Sequence, residues 1–222
     1  MQLDRSIYAQ LEQDIASMQK PRIVGIGGAY TSGKTVFCEN LANHLTQKGY
    51  PVQAVHYDDF HHPLPTITWT QDAGSEVEAF YDAFNMQKLI DELLLPLKRD
   101  GSVKRDIACL NWDAGAYTTT LHFDIGPDTV ALLEGVLIFR PPLASYIGYR
   151  VFLDISFEEM LRRGRLRDVP QFGEEILEKY KTRYIPVFKK HLEQDEPREN
   201  AHALIGNNDY AHPILLRRAE QV

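Results

Sequence analysis

The sequence predicts an α/β fold in which helices cover both faces of a parallel sheet, giving three layers. Three observations point there. A short apolar, β-branched run, Arg22-Ile23-Val24-Gly25-Ile26, leads into a loop rich in small residues, Gly28 to Thr35, as a buried strand leads into a turn. After that loop Phe37, Leu41 and Leu45 recur at four-residue helical spacing, and Lys48-Gly49 supplies a basic last turn and a C-terminal glycine. Further short apolar runs recur at 51–57, 129–135, 150–155 and 201–206.

Bulk properties set bounds. With 222 residues the chain has room for one α/β domain with an insertion. We read 1–222 as one domain, with an inserted lobe over 58–128 and a lid over 156–173. The formal charge of −7 argues against general nucleic-acid binding, which relies on Lys and Arg neutralising phosphates. Cys38 and Cys109 stand far apart and form no metal-ligand pattern, which suits a reducing cytoplasm. No apolar run reaches membrane-spanning length, and Met1 to Arg5 lacks a signal-peptide pattern.

In chain order, Ser6 to Met18 reads as a packing helix with Ile7, Leu11, Ile15 and Met18 on one face and Ser6 as its cap. Strand one is 22–27. The loop Gly28-Ala29-Tyr30-Thr31-Ser32-Gly33-Lys34-Thr35 then matches G-x-x-x-x-G-K-[ST], the phosphate-binding P-loop. Its small residues let backbone N–H groups point inward. The following helix adds unpaired N–H groups and a partial positive charge. Lys34 suits the β- and γ-phosphates of a nucleoside triphosphate, and the Thr35 hydroxyl suits Mg²⁺.

Strand two is 51–57. Ligands of an open parallel sheet bind beyond the carboxyl ends of its strands, so Asp58, Asp59, Phe60 and His61-His62 leave that strand near the phosphates. Either aspartate suits proton removal from an attacking hydroxyl, or a metal held through water. The paired histidines lack a third ligand for zinc. Tyr81 to Lys98 reads as a helix ending near Pro96, and 101–123 as a hairpin around the Asn111–Tyr117 loop. Asp58, Phe60, Tyr81 and Trp112 are candidate acceptor contacts, the rings by stacking on a planar group. A small satellite core explains these aromatics equally well.

Strand three, 129–135, ends in Glu134, where P-loop enzymes place a metal-directed acid. Strand four is 150–155. Ser156 and Glu159 then form a capping box for an arginine-rich helix, Arg162 to Asp168. Arg163 and Arg167 share a face of it and suit a lid closing over phosphates. A further helix, 174–193, bends near Pro186. A fifth strand at 201–206 leads to Asn207-Asn208-Asp209, near where an adenine sits, and the tail 213–218 reads as an added strand or a terminal helix.

These pieces together resemble the uridine kinase family of P-loop kinases, in a superfamily with phosphoribulokinase and pantothenate kinase. The resemblance rests on 28–35, Tyr57-Asp58-Asp59-Phe60, Phe80 to Asn85, Leu133-Glu134-Gly135-Val136-Leu137, Arg162 to Asp168, and Asp209. It implies a P-loop NTPase fold with five parallel strands in the order 2-3-1-4-5, a substrate lobe and a lid. It implies ATP and Mg²⁺, and transfer of phosphate to the 5′-hydroxyl of uridine or cytidine. Carried over by position, Asp58 is the general base, Lys34 the phosphate lysine, Thr35 and Glu134 the metal residues, and Arg163 and Arg167 the lid arginines. A homo-oligomer is implied too. Where the family carries a Tyr-Asp-Phe…His segment, this chain reads Leu110-Asn111-Trp112-Asp113. A different acceptor (pantothenate, a ribosyl cofactor precursor or a sugar) therefore stays open, as does a non-catalytic ATP-binding regulator. The Asn-Lys-x-Asp and Asp-x-x-Gly motifs of GTPase switches are missing from the sequence.

Overall fold

The computed structural model describes residues 5–67 and 73–219. A six-stranded sheet is built from β1 (Arg22–Gly28), β2 (Val52–His56), β5 (Val130–Gly135), β6 (Tyr149–Asp154), β7 (Ala203–Gly206) and β8 (Ile214–Arg218), in the order β2-β5-β1-β6-β7-β8. The first five run parallel. The sixth, β8, runs antiparallel to β7. The five expected parallel strands stand in the expected order, and the tail adds a sixth strand rather than a helix. The outer edge of β7 would otherwise leave a row of backbone groups unpaired, and β8 covers it. Arg218 then fixes β8 to the first helix, α1 (Arg5–Ser17), by two bonds to Asp14, 2.9 and 2.6 Å. The expected Ser6 cap lies outside the side chains the structure describes.

Period-2 alternation along the strands separates two cores. Val24 and Ile26 of β1 pack with Leu132, Val151 and Leu153 against α1 and the P-loop helix α2 (Lys34–Gln47). Ile23, Ala131, Leu133 and Phe152 face the other core, which includes Phe80, Phe123, Met160 and Phe188. Both cysteines are buried, and burial pushes the Cys38 thiol up to about 12.

The inserted region departs from its expected boundaries. Helix α3 spans Ala73–Tyr81, and a second helix runs over 86–100, begun by Asn85, whose side chain accepts from the Lys88 N–H at 3.0 Å. Tyr81 therefore ends one helix instead of starting another. Pro96 does not end the second one. A π turn at Ile90–Leu94 precedes it, and the carbonyl of Glu92, which proline cannot serve, accepts from Arg105 Nη1 at 3.1 Å. The later helix solves the same problem with a π turn at Tyr180–Tyr184 just before Pro186. The hairpin forms as expected from β3 (Val103–Asn111) and β4 (Ala116–Ile125). Asn111 Oδ1 closes its loop by accepting from the N–H groups of Asp113 and Ala114, both at 3.0 Å.

The arginine-rich helix spans Phe157–Phe172. Ser156 caps it, accepting from the Glu159 N–H at 3.1 Å. The second half of the expected capping box gives way to ion pairs: the Glu159 carboxylate accepts from Arg162 and Arg163, at 2.7 and 2.6 Å.

Candidate active site

The site is assembled where β1, β2, β5, β6 and β7 end. The loop from Gly28 to Thr35 turns through Thr31 and Gly33, with φ of 56° and 88°. At Gly33 a side chain would also meet the Asn207 amide nitrogen at 3.1 Å, so glycine is required twice over. Lys34 Nζ donates to the Ala29 carbonyl at 2.9 Å, folding the lysine back over its own loop. The buried Asn207, just after β7, donates to the Ser32 carbonyl at 2.6 Å. Arg163 reaches in from the arginine-rich helix, donating to the carbonyls of Thr31 at 3.2 Å, Asn208 at 3.0 Å, and Asn207. Two segments distant in sequence, the arginine-rich helix and the residues after β7, thus hold the loop in shape.

Parallel pairing of β2 with β5 sets His56 beside Glu134. One Glu134 oxygen accepts from Thr35 Oγ1 at 3.1 Å and from His56 Nδ1 at 2.8 Å. Burial pushes the Glu134 carboxyl up. The His56 hydrogen bond, with Lys34 and Thr35, outweighs that and holds it below its ordinary value. His56 moves up in return, chiefly through that hydrogen bond. Burial lowers the Lys34 pKa, against the charges of Glu134 and Asp58.

Asp58 is the second residue of the next turn, Tyr57–Phe60. In so tight a turn, residues three apart share a face. Tyr57 and Phe60 both enter the core, and Asp58 is left facing solvent. It stands on the floor of a cleft, where surrounding protein raises its pKa against the pull of Lys34.

Two cavities meet at this point. One, of about 410 Å³, is walled by Phe37, Asn40, Asn207, Tyr210 and Pro213. The other, of about 490 Å³, is walled by Asp58, Glu134, His61, Phe80, Phe84 and Trp112, among others. Thr31, Lys34, Thr35 and Arg167 line both. Arg163 lines only the first, and Arg167 holds Asp168 at 2.5 Å. Trp112 is half exposed at the mouth, 5.1 Å from the His61 ring.

Phe60 and Tyr81 do not reach this cavity. Phe60 is fully buried against Phe123. The Tyr81 hydroxyl donates to Asp195 at 2.5 Å, and the Arg140 guanidinium covers its ring at 3.5 Å. Phe80 and Phe84, four apart, supply the aromatic wall instead. Among the described residues no cluster of three or more His, Cys, Asp or Glu side chains forms a metal cage. The donors present, the Thr35 hydroxyl and the Glu134 carboxylate, are hard oxygens few in number. That fits Mg²⁺, which keeps waters and substrate phosphates as its remaining ligands.

Comparison with known proteins finds relatives at about one quarter identity. No family model matches the chain. A uridine kinase of Aliivibrio salmonicida is 26% identical over 204 residues, covering 87% of this chain and 91% of that one. A uridine kinase of Listeria monocytogenes serotype 4a is 25% identical over 216 residues, covering 92% and 97%. The chain resembles the uridine kinases. It spans only 36% of uridine kinase-like protein 3 of Arabidopsis thaliana, at 26% identity over 176 residues and 77% of this chain. Other plant relatives are matched over 43% and 35% of their length. In fold, the chain is similar to a possible uridine kinase from Bacillus stearothermophilus, with a TM-score of 0.68 at 19% identity, covering 90% and 97% of the two chains. D-glycerate 3-kinase from Cryptococcus neoformans gives a TM-score of 0.54 at 14% identity, covering 95% and 96%.

Sequence reasoning missed His56, Tyr184 and Asp168. His56 enters through the register of two strands some eighty residues apart, which no local pattern encodes. Tyr184 and Asp168 belong to helices whose facing sides are set by packing. Asn207 was placed at the end of its strand correctly, but its grip on the Ser32 carbonyl was not foreseen. Phe84 lies past the end of α3, held by a bridge to His61, so its place beside Phe80 comes from tertiary pairing.

Proposed function

We propose that this chain is a phosphotransferase that moves the γ-phosphoryl group of ATP onto a hydroxyl of a small acceptor, the 5′-hydroxyl of uridine or cytidine. The observation that carries the reading is the meeting of two cavities at Lys34, with a carboxylate, Asp58, on the far side. Resemblance to uridine kinases along most of the chain supports it. The first cavity takes the nucleotide, its phosphates lying along the loop amides at the start of α2. The second takes the acceptor.

Asp58 removes or orients the proton of the attacking hydroxyl. Lys34 offsets charge on the transferred group, and Arg167, at the wall common to both cavities, does the same from the lid side. Arg163 keeps the loop in shape, since its guanidinium is bonded to three carbonyls. Thr35 and Glu134 hold Mg²⁺, which supplies charge neutralisation on the phosphates when bound. On this reading 58–128 is the acceptor lobe and 156–173 the lid of one domain. A homo-oligomer rests on family resemblance alone. A cytoplasmic setting rests on the sequence features given above. Among the described residues no helix is long and apolar enough to cross a membrane.

Acceptor-stimulated ADP release tests the reading, using uridine, cytidine, pantothenate, a ribosyl cofactor precursor and a sugar. The expected result is stimulation by the pyrimidine nucleosides, abolished in Asp58→Ala while ATP still binds. Near-normal turnover in that variant would remove Asp58 as the base. Silence across the whole panel would favour an ATP-binding regulator.

A further inference from the structure

Tyr30 belongs to the loop of the P-loop motif, yet it lines the second cavity and not the first. There it stacks on Tyr184, with ring centroids 4.5 Å apart, and meets Phe80 at 5.8 Å. Its hydroxyl is buried and has no hydrogen-bond partner among the described residues. Other buried tyrosines of the chain are satisfied: Tyr81, Tyr149 and Tyr180 donate to Asp195, Asp14 and Asp168, each at 2.5 Å. Tyr57 is the instructive contrast. Its hydroxyl also lacks a partner, but its ring is packed on Phe84 in the core and borders neither cavity of the site. No ligand can reach it there.

A buried hydroxyl beside a cavity is completed by a water or by the ligand that fills that cavity. Burial, helped by the charge of nearby Asp58, raises the Tyr30 pKa and keeps the phenol protonated, so it is a donor. We propose that Tyr30 is a specificity-determining residue of the acceptor cavity, its hydroxyl donating to a carbonyl or hydroxyl oxygen that the acceptor carries besides its reactive hydroxyl. The inference rests on the phosphotransferase reading above and deepens it. The loop that grips the donor would then also inspect the acceptor, through one side chain whose position the phosphate turn itself fixes.

Tyr30→Phe keeps the ring and removes only the hydroxyl. In the full chain, with the panel acceptor of highest kcat/KM (uridine on the reading above), KM for the acceptor should rise about ten-fold, with kcat within about two-fold and KM for ATP unchanged. The ligand-free variant should melt at the wild-type temperature or above it, because it loses an unpaired buried group and no bond. The thermal shift given by uridine alone should shrink. An unchanged acceptor KM in a wild-type enzyme that does turn over overturns this proposal and leaves the phosphotransferase reading standing. A lower melting temperature with equal losses for both substrates overturns it as well, since that marks a structural tyrosine. No ADP release by wild type with any acceptor removes both readings together.

Discussion

At Asp58, desolvation in the cleft and the charges of Glu134 and Asp59 raise the pKa, and Lys34 and His56 offset only part of that. A general base must be ionised to act. A raised pKa means that the ionised form is lost at a higher pH as acid is added. The acid limb of kcat/KM for the acceptor should therefore lie above pH ~4, where an unperturbed aspartate titrates. A pH–rate profile checks this, and a limb at or below that value would mean that the carboxylate is less enclosed than the cleft geometry has it. The neighbouring Glu134 behaves oppositely, because His56, Lys34 and Thr35 more than offset its burial. Two carboxylates that act on one lysine thus shift in opposite directions. On the proposed reading one stays ionised for a metal and the other stays basic enough to take a proton. The sequence named both residues from their place at strand ends. It held no sign of the direction in which either would shift, since that depends on His56 and on the depth of the cleft.

The arginine-rich helix behaves less freely than its composition suggests. Four arginines in six positions read as a mobile cover. In the structure Arg162 and Arg163 share Glu159, Arg165 meets Glu174, and Arg167 holds Asp168. The helix is also seated against its neighbour at Gly164, where an added Cβ would come within 2.4 Å of the Tyr180 ring. That ring cannot swing away without breaking its 2.5 Å bond to Asp168. Gly164→Ala should therefore destabilise the protein by about 1–3 kcal/mol despite alanine's better helix propensity. At this chain length thermal unfolding should register a loss of about 2–4 °C for each kcal/mol. Gly126→Ala, whose Cβ would meet Thr129 Oγ1 at an ordinary 3.7 Å, is the control. Equal melting temperatures for the two variants would show that the two helices are not locked there. The prolines make a related point. Pro96 and Pro186 were read as a stop and a bend, yet both lie within helices that widen by one π turn just ahead of them. Propensity identifies the strain correctly, and packing decides whether a helix ends or absorbs it.

In the whole molecule, the two cavities proposed for donor and acceptor share part of their lining. Thr31, Lys34, Thr35 and Arg167 face both, so a ligand that orders these side chains from one side prepares them for the other. A non-hydrolysable ATP analogue should tighten uridine binding about five-fold or more, and uridine should tighten the analogue by the same factor. Calorimetric titration in both orders measures this. Identical uridine affinity with and without the analogue would mean that the shared wall transmits nothing. The acidic charge of −7 is no obstacle to binding anions here, because the site supplies its own local cations and helix N-terminus.

What the sequence determined by itself was whatever is encoded within a few residues. The strand, glycine loop, lysine and helix at 22–47 are contiguous, so the phosphate site was legible in one reading. So were the acids at the ends of the second and third parallel strands, and the hairpin. What only the tertiary structure decided was which side chains meet across the sheet and across the lobes. Parallel register brought His56 to Glu134, and the end of β7 brought Asn207 to Ser32. The tight turn after β2 sent Phe60 inward and Asp58 out. The tail became a sixth strand because β7 had an open edge to fill. The pairings of His56 with Glu134 and of Asn207 with Ser32 are contacts between segments far apart in the chain. Such contacts follow from how buried faces fit together in three dimensions, and no local pattern of residues records them.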